Sequence, residues 1–125
     1  MAEAGQLAEV VALLTLRFLH PSRHGDEALR RVVRQMAEET GSETFVRQQR
    51  AIMSRPDSRP LLSAIRCPTL VLVGDGDELT PPSLAEEIAA GIPGARLEVV
   101  PDCGHLSTIE QPDKVSAALS TWLAA

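Results

Sequence analysis

The sequence predicts an α/β fold in two parts: a helical N-terminal segment over residues 1–66, then a β-α-β-α unit with two parallel strands over residues 67–125. Three observations carry that expectation. Hydrophobic residues make up 44% of a 125-residue chain with almost no low-complexity sequence, which is enough for one small globular domain. Up to residue 66 the apolar residues recur at helical spacing. From residue 69 short continuous apolar runs alternate with helical stripes, the pattern of buried parallel strands joined by helices.

Each element follows from its residues. Leu7, Val10, Val11, Leu14 and Phe18 lie along one helical stripe that ends near His20-Pro21. Asp26 is expected to cap a second helix, with Leu29, Val32, Val33 and Met36 on its buried face and Gly41 as its stop. Ser42 is expected to cap a third, carrying Phe45, Val46, Gln49, Ile52 and Met53 to Arg55-Pro56, and a short turn from Leu61 to Ile65 precedes Cys67-Pro68. Leu70 to Val73 reads as a strand covered on both faces. Thr80-Pro81 starts a helix with Leu84, Ala85, Ile88 and Ala89 as its buried stripe, ended by Gly91 and Pro93. A second strand runs from about Leu97 to Val100; the helical connection makes the strands parallel, with a right-handed crossover. Pro112 opens the last helix, whose stripe is Val115, Ala118, Leu119, Trp122 and Leu123.

Composition excludes several classes of function. The net charge is −5, yet residues 1–66 hold ten Arg against eight acids and residues 67–125 two basic residues against nine acids. Those Arg are scattered among acids, and the chain has one Trp, two Phe and no Tyr, so a basic patch with stacking aromatics is absent and no nucleic-acid partner is expected. The apolar stretch from Leu7 to Leu16 is broken by Glu9 and Thr15 and follows an acidic start, so neither a membrane partner nor an export signal is expected. Cys67 and Cys103 are too few for a disulfide framework and not spaced as metal ligands, which suits a reducing cytoplasm. Pro21 breaks the helix that would align His20 and His24 as a metal pair, and Gly74-Asp75-Gly76 lacks the third glycine and the lysine of a phosphate loop; no metal or cofactor is expected. Cys103 beside His105 reads as a small buried thiol.

The chemistry lies at the strand ends. Thr-Leu-Val-Leu-Val-Gly-Asp-Gly-Asp, residues 69–77, delivers carboxylates beyond the first strand, and Leu-Glu-Val-Val-Pro-Asp-Cys-Gly-His, residues 97–105, delivers a histidine beyond the second. Ligands of open parallel sheets bind at the carboxyl ends of strands, so Asp77 and His105 meet where a carboxylate can orient an imidazole. With Thr80-Pro81-Pro82 after the first motif and Ile109-Glu110-Gln111-Pro112 after the second, the chain resembles the C-terminal part of an α/β-hydrolase. The resemblance is strong over residues 60–125, and the helical run before it is similar to the cap that many members insert ahead of this strand.

That resemblance implies Asp77 as the catalytic acid and His105 as the base, with Asp75 the alternative acid. It also implies a nucleophile in a G-x-S-x-G elbow, and here the sequence departs from the family. None of its nine serines stands between glycines at that spacing, and there is no Gly-rich oxyanion loop. Ser83 lies inside a helix turn and Ser107 lies two residues past the histidine, so neither fits the elbow. The expectation is therefore the C-terminal portion of a hydrolase acting on ester or related bonds, inactive alone. A small-molecule substrate is implied only once the missing N-terminal part is supplied. An alternative is a non-catalytic module whose uncovered sheet drives self-association or complementation by a separate N-terminal half. Replacing Asp77 or His105 is expected to change stability little, as for exposed polar groups.

Overall fold

The computed structural model describes residues 4–125; residues 1–3 of the expected helical segment lie outside it. Helix α1 (Ala4–Phe18) leads through a 3₁₀ turn (Pro21–Arg23) to α2 (Glu27–Thr40) and α3 (Ser42–Ser54). A second 3₁₀ turn (Arg59–Ala64) reaches β1 (Leu70–Gly74), followed by α4 (Pro82–Gly91), β2 (Arg96–Val100), the short α5 (Ser107–Glu110) and α6 (Pro112–Leu123). The two strands are parallel, in a register that sets Leu70 opposite Arg96 and Gly74 opposite Val100.

The local signals act largely as expected. The Asp26 carboxylate accepts the Leu29 N–H at 3.1 Å, satisfying one of the orphan donors of the first turn of α2. Gly41 ends α2 in the left-handed region, φ 76°, and the same residue is the N-cap of α3. Ser42 is therefore the first helical residue and not the cap, because Gly41 has already turned the chain. Pro82 and Pro112 open their helices, where a missing N–H costs nothing.

Burial departs from the sequence reading. The core holds Leu7, Val11, Leu19 and Val33 on the helical side, and Val73, Ala85, Ile92, Val100, Cys103 and Val115 around the sheet. Of the expected α4 stripe only Ala85 is buried; Leu84 and Ile88 are 46% and 40% exposed. Val32 and Met36 of α2, Ile52 and Met53 of α3, and Leu119 and Leu123 of α6 also face outward. β1 is half-buried where full burial was expected, because it has β2 on one edge and no described strand on the other. The helical stripes are real, but two strands give them too little sheet to cover.

Candidate active site

The carboxyl ends of the two strands are stitched together by backbone. Asp75 N–H donates to Val100 C=O at 2.9 Å and Gly76 N–H to Cys103 C=O at 2.8 Å. Gly74 is required at this crossing: a Cβ there would meet the carbonyls of Cys103 and Gly104 closer than 3 Å. With the turn pulled against the 103–104 loop, Asp77 is carried inward and is only 7% exposed.

The buried carboxylate is fully engaged. Its Oδ1 accepts the N–H groups of Leu79 at 3.0 Å and Thr80 at 2.9 Å, and its Oδ2 accepts the Thr80 hydroxyl at 2.9 Å. Oδ2 also lies 2.9 Å from Nδ1 of His105. Burial by itself pushes the Asp77 carboxyl up, but the Thr80 amide, the His105 ring and the Thr80 hydroxyl together outweigh it and hold the group below the usual carboxylate range. The expectation that Asp77 is a dispensable exposed group is thereby corrected: it closes the turn that follows β1.

His105 is held from the other side. Its N–H donates to Phe18 C=O at 2.8 Å, and the Phe18 ring stacks on the imidazole at 5.8 Å between centroids and 21° between planes. The C-terminus of α1 thus frames the histidine. The ring is one-third exposed and lines an open cavity of about 460 Å³ with Asp77, Thr80, Val73, Leu84 and Ile88. With Nδ1 directed at a carboxylate, Nε2 is the nitrogen left for an incoming group. Ser107 lies on the same cavity wall at the start of α5, without a hydrogen bond to His105 among the described residues.

The other sequence candidates have structural occupations. The Asp75 carboxylate accepts the Cys103 N–H at 3.0 Å, which is the main reason it stays below the usual carboxylate range, and it makes no bond to His105. Cys103 is fully buried, and burial, reinforced by the charge of Glu110, pushes its thiol up to about 11, so it holds no thiolate at neutral pH. His24 Nε2 lies 3.1 Å from Leu19 C=O, and His20 Nδ1 lies 2.8 Å from the Ser22 hydroxyl and 3.2 Å from Asp102. That second grouping of serine, histidine and aspartate is a tie: the Ser22 hydroxyl donates to Asp102 Oδ1 at 2.8 Å, and Arg23 binds the same carboxylate. The hydroxyl proton is thus committed to the carboxylate, and the imidazole Nδ1 instead accepts the Ser22 backbone N–H at 3.1 Å, capping the 3₁₀ turn.

Two contributors went unread in the sequence. Thr80 supplies both an amide and a hydroxyl to Asp77, and Asp followed three residues on by Thr is a capping-type spacing that could have revealed it. Glu110 is 6% exposed and binds backbone amides near His105, with a partner 90 residues away in sequence that no local pattern announces.

A family model described as "Alpha/beta hydrolase family" matches residues 2–118. A curated 3-oxoadipate enol-lactonase from Acinetobacter baylyi is 31% identical over 114 residues, 90% of this chain and 42% of the lactonase. Among solved structures, a thermophilic esterase from Thermogutta terrifontis superposes with TM-score 0.90 at 34% identity, over 97% of this chain and 45% of the esterase. A hydrolase from Pseudomonas aeruginosa PA01 superposes with TM-score 0.79 at 29% identity, over 100% of this chain and 52% of its own. The chain therefore spans about half the length, or less, of each of these relatives.

Proposed function

The chain belongs to the alpha/beta hydrolase family, and from that membership we propose that it is the acid–base portion of a hydrolase cleaving ester or related bonds. Asp77 is the orienting acid and His105 the general base. The observation that carries this is the 2.9 Å contact between Asp77 Oδ2 and His105 Nδ1 at the carboxyl ends of adjacent parallel strands.

The geometry suits the role. Asp77 accepts the proton-bearing Nδ1, which presents Nε2 as the basic nitrogen, and it stabilises the imidazolium formed when the ring takes a proton. Thr80 holds the carboxylate from behind, so the acid cannot swing away from the ring. The proton would come from a serine hydroxyl, or from water where the nucleophile is a carboxylate. Either nucleophile belongs to the half of the domain that the longer relatives carry and this chain does not match. The chain alone is then inactive, and a small-molecule substrate binds only when that half is present.

The test is a chimera in which this chain replaces the matching segment of the Thermogutta esterase. Hydrolysis of a short-chain nitrophenyl ester and labelling by a serine-directed phosphonate are expected from the chimera, and neither from the chain alone. His105→Ala should abolish both. A folded chimera whose activity is indifferent to His105→Ala contradicts the reading.

A second reading is favoured by the uncovered surface. Leu84 and Ile88 stand exposed beside β1, whose outer edge has no described strand partner. β2 is exposed from Arg96 to Val99 and carries two charges there, Arg96 and Glu98, of the kind that protect a sheet edge, while β1 is apolar throughout. β1 is thus the edge where another strand would add, from a complementing N-terminal half or from a second copy of this chain. Sedimentation across a concentration series separates a monomer from the self-associating module.

A further inference from the structure

We propose that Glu110 is a positioning residue for His105, clamping the backbone on both sides of the imidazole; the inference rests on the acid–base reading above. Glu110 ends α5 and is buried, yet no Lys, Arg or His pairs with it among the described residues. Backbone amides take the place of a cation. Oε1 accepts the N–H of His20 at 2.7 Å and of Gly104 at 3.1 Å, and Oε2 accepts the N–H of Gly104 at 3.1 Å and of Leu106 at 3.2 Å. The amides immediately before and after His105 therefore converge on one carboxylate.

A buried carboxylate is costly unless its lone pairs are filled, and here three amides fill them. In return they lose the freedom to rotate. Residues 101–106 have no helix or strand to fix them, and Asp102 already sits at a positive φ of 53°. On its far side the loop rests against the end of α1: a Cβ at Gly104 would collide with the backbone of Phe18, Leu19 and His20. The loop is held between α1 and Glu110, and the direction in which the His105 side chain leaves the backbone is set by that sandwich. A displacement of about 1 Å at a reacting group costs on the order of 100-fold in rate, so fixing this vector matters to a base. Because His20 N–H binds the same carboxylate, the turn after α1 and the histidine loop move as one piece.

The chain itself, without a nucleophile, suffices for the test. The tautomer of His105 is read by long-range ¹H–¹⁵N correlation at about pH 9, where an ordinary imidazole is neutral. In the parent the proton is expected on Nδ1, facing Asp77, whereas a free imidazole prefers it on Nε2. Glu110→Gln places an NH₂ where an acceptor is needed, and loss of the Nδ1–H form is expected. Val115→Ala, a core truncation in α6, should lower stability yet keep that form. If Glu110→Gln keeps it too, Glu110 only stabilises the fold and the proposal is overturned. Should Glu110→Gln not fold, Glu110→Asp, with the same charge on a shorter arm, is read in the same way. Fast amide exchange of Gly104 and Leu106 in the parent overturns the proposal without any variant. Asp77→Asn separates the two levels: an unchanged tautomer there defeats the acid–base reading, whereas a tautomer lost in Asp77→Asn but kept in Glu110→Gln defeats only the role of Glu110.

Discussion

Replacing Asp77 with alanine should destabilise the chain as well as remove the acid. The side chain is 7% exposed and its carboxylate accepts the Leu79 and Thr80 amides, the Thr80 hydroxyl and the His105 ring. Hydrogen bonds to a charged group contribute about 1.5–3 kcal/mol each. Thr80 is exposed and Leu79 half-buried, so water replaces part of what alanine removes. Two bonds at the lower limit give a loss of roughly 3 kcal/mol, which lowers Tm by on the order of 10 °C in a domain of this size. Urea unfolding followed by circular dichroism measures it. The pH dependence adds a signed check. The folded state holds the Asp77 carboxyl below its ordinary value, so this stabilisation is complete above the unfolded value of about 3.9 and is lost as pH falls through the lower folded value. Asp77→Ala should therefore weaken the chain at pH 7 and show a shallower loss on acidification. A variant within about 0.5 kcal/mol of the parent at pH 7, the range of ordinary surface changes, would refute the reasoning.

Other perturbations read other parts of the structure. Gly74→Ala pushes a methyl into the carbonyls of Cys103 and Gly104; a loss of about 3 kcal/mol or more, as for overpacked sites, is expected in the same unfolding assay. With iodoacetamide at neutral pH, mass spectrometry should find one modified thiol, the exposed Cys67, because Cys103 is buried with its thiol pushed up to about 11; two adducts on folded protein would contradict the burial. Leu84→Glu and Ile88→Glu, on the exposed face of α4, should reduce dye binding and any concentration-dependent association without loss of helical signal; unchanged association would place the sticky surface elsewhere.

Much of this site is legible in the sequence because its two principal groups sit at the ends of apolar runs. Leu70 to Val73 followed by glycines and aspartates, and Leu97 to Val100 followed by Cys-Gly-His, each announce a strand and what it delivers. Between Asp75 and Asp77 the family resemblance favours Asp77 through its spacing from Gly74, and the coordinates add what occupies Asp75: its carboxylate is bound to the Cys103 amide and turned from the ring. The roles of Phe18 and Glu110 are hidden for a different reason. Phe18 reads as one member of a helical stripe and Glu110 as a polar residue before Pro112; the ring that Phe18 stacks on lies 87 residues away, and Glu110 binds one amide 90 residues away and two in a nearby loop that has no period to read. Periodicity also overstates burial: it places Leu84, Ile88, Leu119 and Leu123 on a helix face correctly but says nothing of whether enough sheet exists to cover that face. The short α5 has too few residues for any period to register.

The most direct measurement is the rate of ester hydrolysis by the chimera with the Thermogutta esterase, compared with its Asp77→Asn variant. Asparagine keeps the shape and a carbonyl acceptor for the Leu79 and Thr80 amides but withdraws the charge that fixes Nδ1–H, so kcat should fall by about 10⁴ with the fold retained. A folded variant within tenfold of its parent would show that Asp77 does not orient the base, and the assignment of the 2.9 Å pair as the acid–base centre would be wrong.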